Sequence, residues 1–155
     1  MIENDIKEVY FSKEELHGIV KRLGEQISKD YEGKNLTLVS ILKGSVIFMA
    51  DLMREITVPC EIDFMCVSSY GNGTKSSGTV KIIKDLDINL EGKDLLLVED
   101  ILDSARTLYS VRNYLMQKNP ASVKICTLLD KKVERAFDIK ADYKCFDIEN
   151  EFVVG

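Results

Sequence analysis

The sequence predicts an α/β fold with a mostly parallel central sheet flanked by helices. Three observations carry that prediction. Strand-like and helix-like segments alternate along the chain, several strand-like runs are apolar throughout, and the unusual polar residues gather where those runs end. A strand without polar alternation is covered on both faces, and intervening helices supply the cover. At 155 residues the chain reads as one domain, residues 1–155, large enough to bury about two thirds of its unfolded surface. No repeat, low-complexity tract or interdomain linker interrupts it.

The first element is a helix. Ser12 and Glu15 form an S-x-x-E capping box, Leu16, Ile19, Val20, Leu23 and Ile27 recur at helical spacing, and Gly33 closes the segment. LTLVSIL, Leu36 to Leu42, reads as a buried strand. Lys43-Gly44-Ser45 then turns into a second helix through about Ile56, whose Val46, Ile47, Met49, Leu52 and Met53 suit packing against a sheet. A strand is predicted from Glu61 to Ser69, followed by GNGTKSSGT, nine residues without an apolar side chain that suit a mobile loop. Further strands are predicted over Val80–Leu86, Asp94–Leu102, Ser122–Leu129 and Ala141–Ile148. A helix from about Ser104 to Gln117 turns Ala105, Leu108, Val111 and Leu115 inward. In such sheets a ligand sits at the carboxyl ends of the strands. Lys43-Gly44, Glu99-Asp100-Asp103 and Asp130-Lys131 fall there.

The net charge of −5 argues against nucleic acid or a membrane surface as a partner. An anionic ligand would need loop amides, a metal ion and a few placed cations. Cys60, Cys66, Cys126 and Cys145 make no C-x-x-C pair and read as reduced structural residues. The N-terminus has no basic segment followed by an apolar stretch, and no window approaches 18 apolar residues, so a cytoplasmic location is expected. The single histidine, His17, falls on the first helix away from the polar strand ends and reads as a surface or packing residue.

The segment richest in chemistry is VEDILDSART, Val98 to Thr107. An apolar strand runs into Glu99 and Asp100, then Asp103, then a small polar loop opening a helix. Amides at a helix N-terminus, with Ser104 and Thr107 hydroxyls, suit a dianionic phosphate. Glu99 and Asp100 suit vicinal ribose hydroxyls, directly or through Mg²⁺-bound water. The residues alone leave a second reading open, a solvated strand end followed by an ordinary Asp/Ser helix cap.

VEDILDSART closely resembles the phosphoribosyl pyrophosphate signature of the type I phosphoribosyltransferases. Four more segments, ILKGS (41–45), DFMCVSSYG (63–71), LLDKK (128–132) and EFVVG (151–155), occur in the order found in bacterial hypoxanthine-guanine phosphoribosyltransferases. Together they cover nearly the whole chain. The resemblance implies the type I fold with a small, incomplete hood, drawn from the N-terminal segment and the residues after about 130. It implies transfer of 5-phosphoribosyl from phosphoribosyl pyrophosphate to a 6-oxopurine, with Mg²⁺ and both small molecules as partners, in a homodimer or homotetramer.

It also assigns roles. Lys43 and Gly44 resemble the pyrophosphate loop, where a Leu-Lys peptide is often cis. Glu99 and Asp100 would hold the ribose hydroxyls and Mg²⁺, while Asp103, Ser104, Ala105, Arg106 and Thr107 surround the sugar phosphate. Asp103 would act as general base toward the purine N7 proton. Lys131 would donate to the 6-oxo group, Phe152 stack on the base, Val153 read its pyrimidine edge through the backbone, and Ile101 line the opposite face. Without the resemblance, Phe152 reads as a core residue. Ser68, Ser69 and Tyr70 resemble the start of a flexible loop, 68–79, that closes over the reacting centre.

Two departures from the family pattern stand out. Ala105 occupies a position where the phosphate loop usually carries Gly, and its Cβ penalises a positive φ. Relatives are also expected to continue past Gly155 with a segment bearing a Mg²⁺-binding Asp and the rest of the hood, so the chain reads as C-terminally short. A catalytically weak nucleotide-binding regulator of the same fold, a transferase for another base such as xanthine, and a flavodoxin-like binding module are the alternatives.

Overall fold

A computed structural model describes residues 6–69, 80–135 and 137–154. In chain order the elements are α1 (Lys13–Asp30), β1 (Leu36–Leu42), α2 (Val46–Glu55), β2 (Cys60–Ser69), β3 (Val80–Lys84), β4 (Asp94–Leu102), α3 (Arg106–Met116), β5 (Ser122–Lys131) and β6 (Tyr143–Ile148). The predicted capping box starts α1. The Ser12 amide donates to the Glu15 carboxylate at 2.7 Å, and the Glu15 amide donates to Ser12 Oγ at 3.2 Å.

The strands form one six-stranded sheet in the order β3-β2-β1-β4-β5-β6. All pairs are parallel except β2 with β3. Parity along the central strands explains their uniform apolarity. On β1 and β4, Leu36, Leu38, Leu96 and Val98 join one core cluster with Val20, Leu23 and Ile27 of α1 and Phe48, Met49 and Leu52 of α2. Val39, Ile41, Leu95 and Leu97 point the other way, against Leu108, Val111 and Leu115 of α3. Each strand therefore feeds two cores, which a period-two polar pattern would forbid.

The α2 packing differs from the sequence reading. Phe48, Met49 and Leu52 are buried, whereas Val46 and Ile47 are exposed, because a helix on a sheet buries one stripe rather than its whole surface. Helices α1 and α2 approach closely at Gly24, where a Cβ would lie 2.4 Å from the Cβ of Glu55.

Strand β1 is the switch point of the sheet, since β2 lies on one side of it and β4 on the other. The carboxyl ends of β1, β4 and β5 consequently share one edge of the sheet, bringing Leu42–Gly44, Glu99–Asp103 and Asp130–Lys131 together. Strand β6, in the portion assigned to a hood, pairs with β5 as the edge strand of this same sheet. The N-terminal segment reaches it through Phe11, stacked on Phe146 with ring centroids 3.8 Å apart.

Candidate functional site

The strand ends border a cleft of about 300 Å³ whose walls include Gly44, Glu99, Ile101, Asp103 and the run Ser104–Leu108. Its floor is the end of β4 and its rim is the entry to α3. Helix α3 begins two residues later than the sequence suggested, at Arg106, because Ala105 is left-handed at φ 62° and ψ 9°. A left-handed residue cannot continue a helix inward, so Ser104 belongs to the loop. No side chain caps α3. The helix dipole favours an anion at this end.

Ala105 is 7% exposed, and its backbone has the positive φ that the resemblance associated with Gly. The conformation costs an L-residue about 1–2 kcal/mol. The methyl group packs into the core beside Leu102 and Leu108.

At the end of β1 the Leu42–Lys43 peptide is cis. Ser45, fully buried, donates from Oγ to Ile41 O at 2.7 Å and lies 2.7 Å from Ser40 Oγ. A hydroxyl has one proton, so Ser40 donates to Ser45 and the chain of bonds ties the turn back onto its strand. Gly44 and Asp100 approach closely, since a Cβ on Gly44 would sit 2.5 Å from an Asp100 carboxylate oxygen and would have to displace that side chain. The other Asp100 oxygen accepts from the Ile101 amide at 2.9 Å. Asp100 thus stands between the β1 turn and the end of β4, while Lys43 is exposed on the same turn.

Glu99 is half-buried. Burial pushes its carboxyl up to about 8, and the neighbouring Asp100 charge adds to the shift. Two adjacent carboxylates at a partly dry strand end are a poor resting place for two charges. They suit a ligand that brings hydroxyl donors or a cation. Among the described residues no cluster of three or more His, Cys, Asp or Glu gathers. A pair still fits Mg²⁺, which is commonly held by one or two carboxylates, with water and substrate phosphates completing the shell.

Across the cleft, Lys131 Nζ donates to Asp103 Oδ2 at 3.2 Å, with the lysine side chain 12% exposed and the aspartate 54%. The residues assigned to the base and to the proton are thus in direct contact. Lys132 faces solvent and pairs with Glu149 at 2.7 Å. Ile101 is half-buried in the cleft wall.

Other assignments fall outside this arrangement. Phe152 is 91% exposed and Val153 half-buried, in a segment without regular structure. The core reading of Phe152 is therefore wrong, since no element among the described residues covers its ring. Ser68 and Ser69 belong to β2, as the predicted strand to Ser69 implies, and pair with Lys81 and Val80. The ladder to β3 extends to the end of the strand. Tyr70 and the rest of the 68–79 loop lie outside the described residues. His17 is exposed on α1, and the four cysteines are free.

Sequence reasoning missed Arg135. It donates from Nε to Asp103 O at 3.0 Å, and from Nη2 to Leu102 O at 3.2 Å and Lys131 O at 2.9 Å. The same Nη2 is paired with the Asp130 carboxylate. Its position four residues past Lys131 gave no signal, because the contact depends on the path of the chain after β5.

A family model described as a phosphoribosyl transferase domain matches residues 10–155. The hypoxanthine-guanine phosphoribosyltransferase of Streptococcus thermophilus (strain CNRZ 1066) is 53% identical over 155 residues, covering 100% of this chain and 86% of the relative. That of Streptococcus agalactiae serotype V shows the same identity and coverage. Among solved structures, a hypoxanthine phosphoribosyltransferase from Staphylococcus aureus superposes with a TM-score of 0.94 at 48% identity, covering 97% of this chain and 82% of that one. A hypoxanthine-guanine phosphoribosyltransferase from Bacillus anthracis, with a HEPES molecule in its active site, gives 0.89 at 44% identity over 95% and 86%.

Proposed function

Because the chain belongs to the phosphoribosyl transferase family, we propose that it is a purine salvage enzyme. It transfers 5-phosphoribosyl from phosphoribosyl pyrophosphate to hypoxanthine or guanine, giving IMP or GMP and pyrophosphate. The observation that carries this reading is the cleft at the switch point. There Glu99, near the end of β4, lines the space with Asp103, the start of α3 borders it, and Gly44 of the cis turn, beside Asp100, forms the neighbouring wall. The relatives' names supply the base class; the cleft supplies a matching place for a sugar phosphate.

Each part then has a task. The amides of the Ser104–Thr107 loop, with the Ser104 and Thr107 hydroxyls and Arg106, bind the 5-phosphate. Glu99 and Asp100 accept from the ribose hydroxyls and hold Mg²⁺. When bound, Mg²⁺ neutralises charge on the pyrophosphate and makes it a better leaving group. Lys43 and Gly44 orient the pyrophosphate at the β1 turn. As the sugar C1–O bond breaks and a purine ring nitrogen forms the new C1–N bond, Asp103 accepts the purine N7 proton. The Glu99 and Asp100 charges stabilise the positive character that develops on the ribose.

Lys131 donates to the 6-oxo group, which separates 6-oxopurines from adenine. This lysine also donates to Asp103, which places the reader of the base beside the proton acceptor. Ile101, Phe152 and Val153 line the base side. No helix among the described residues is long and apolar enough to cross a membrane, and a cytoplasmic enzyme is part of the proposal. So is a homodimer or homotetramer, supported by the exposed Val46 and Ile47 on α2.

A pyrophosphate-release assay with Mg²⁺ and four bases tests the reading. Release is expected with hypoxanthine or guanine and not with adenine. Release with xanthine alone would replace the base, and no release with any base would overturn the proposal.

A further inference from the structure

We propose that Arg135 is a positioning residue, which aims the amides of the β4–α3 loop at the sugar phosphate and sets Asp103 against Lys131. The inference rests on the transferase reading above. Its basis is the set of acceptors gathered by one guanidinium. Arg135 holds the carbonyls of Leu102 and Asp103 at the end of β4 and the carbonyl of Lys131 at the end of β5. Asp130, 14% exposed, balances its charge. The arginine side chain is itself 16% exposed, so these bonds form in a largely dry place, where charge-assisted hydrogen bonds are strong.

Two consequences follow from peptide geometry. In a trans peptide the carbonyl and the following amide point in opposite directions. With Leu102 O and Asp103 O drawn toward Arg135, the amides of Asp103 and Ser104 point away from it. Arg135 is absent from the cleft wall, which Asp103 and Ser104 help to form. The guanidinium therefore lies behind the loop, and the amides it turns are presented on the other side.

The second consequence concerns the proton-transfer pair. The Asp103 side chain meets Lys131 Nζ at 3.2 Å, and Arg135 binds the main-chain carbonyls of both residues. A single side chain thus fixes the backbones of the proposed base and of the residue that contacts the purine. Lysine in its place keeps the charge but loses the planar fork that reaches several acceptors at once.

The experiment compares wild type, R135A and R135K, using steady-state pyrophosphate release and calorimetric titration with ribose 5-phosphate. Measurements are made well below each variant's melting temperature. R135A is expected to lower kcat/KM for phosphoribosyl pyrophosphate about 10- to 150-fold, the scale of a lost charged hydrogen bond. Ribose 5-phosphate affinity should fall with it. R135K should recover part of the loss, and added guanidinium ion should raise R135A activity without affecting wild type. A general structural defect would lower the melting temperature without such rescue.

Folded R135A with wild-type kcat/KM and ribose 5-phosphate affinity would overturn the inference. Should R135A fail to fold, R135K decides: unchanged kinetics and affinity there overturn it equally. A wild-type chain that neither releases pyrophosphate nor binds ribose 5-phosphate would overturn the transferase reading first, and this inference with it.

Discussion

Along β1 and β4 the candidate site is built on strand ends and their tight turns, whereas from the end of β5 onward it is made of side chains and an irregular tail. The first half consists of a cis turn, a glycine pressed on Asp100 and a left-handed residue opening α3. Its candidate ligand groups are loop amides together with the Glu99 and Asp100 carboxylates, carried by strands that are themselves buried on both faces. The second half consists of Lys131, resting on Asp103, and an exposed Phe152 on a segment without regular structure. The difference matters for mechanism. A site on strand ends is organised before its ligand arrives and loses little entropy on binding. A site of side chains and tail has to be assembled around the base.

The sharpest break in that comparison is at Asp103, where the halves touch. Asp103→Asn keeps the size of the side chain and removes its capacity as a base. Turnover in pyrophosphate release is expected to fall roughly 10- to 1,000-fold. Affinity for phosphoribosyl pyrophosphate should change much less, because the loop amides remain. Turnover near wild type would show that Asp103 is not the proton acceptor.

Lys131→Ala separates the halves from the other side. The 6-oxo group loses a charge-assisted hydrogen bond, worth about 1.5–3 kcal/mol. The loss should appear in purine KM rather than in phosphoribosyl pyrophosphate KM. Equal damage to both would make Lys131 a structural partner of Asp103 and not a reader of the base.

The same contrast governs what could be read in the sequence. Strands Leu36–Leu42 and Asp94–Leu102 were legible to the residue, because burial on both faces leaves an uninterrupted apolar run. The capping box was legible because its two bonds join neighbours in sequence. The start of α3 lies two residues later than read, since the positive φ at Ala105 is signalled only by the family's Gly at that position and not by alanine itself. Strand β6 was begun too early, at Ala141. Asp142 instead bonds to Ile125 through both its amide and its carboxylate, and regular pairing starts at Tyr143. Among candidate site residues, Glu99, Ile101 and those from Asp103 to Thr107 line one cleft, because they follow closely at one strand end, whereas Asp100 is not among its walls and sits against Gly44. Arg135 was missed for the opposite reason. It joins two strand ends through a loop whose path depends on tertiary packing.

A smaller effect tests the charge state of the strand-end half. Burial lifts the Glu99 carboxyl from its ordinary 4.5 to about 8, so the folded protein binds that proton more tightly than the unfolded chain. The contribution is fully present below about 4.5 and is lost as pH rises through about 8. Glu99→Gln cannot take up the charge. In chelator-treated protein its denaturation midpoint, relative to wild type, should therefore rise between pH 5 and pH 8. A constant difference across that range would mean that Glu99 ionises freely in the folded state.

The smallest expected change is at Ala105, and it asks how well the strand-end half is optimised. The residue is left-handed at φ 62°, a conformation that glycine adopts without the Cβ penalty. Against this, Ala105 is 7% exposed and its methyl packs in the core, so Gly removes buried apolar surface worth about 0.8 kcal/mol. Glycine also loses more conformational freedom on folding. The relief of about 1–2 kcal/mol at positive φ is therefore largely offset, and the melting temperature of Ala105→Gly should stay close to wild type. Ligand binding isolates the part that does not cancel. Without a Cβ the loop amides can close more tightly on phosphate, and ribose 5-phosphate affinity should rise by about 1 kcal/mol, roughly fivefold. Calorimetry with Mg²⁺ present measures it. An unchanged or weaker affinity would show that the alanine loop already has the geometry the phosphate needs, and that the methyl contact to the core helps to hold it.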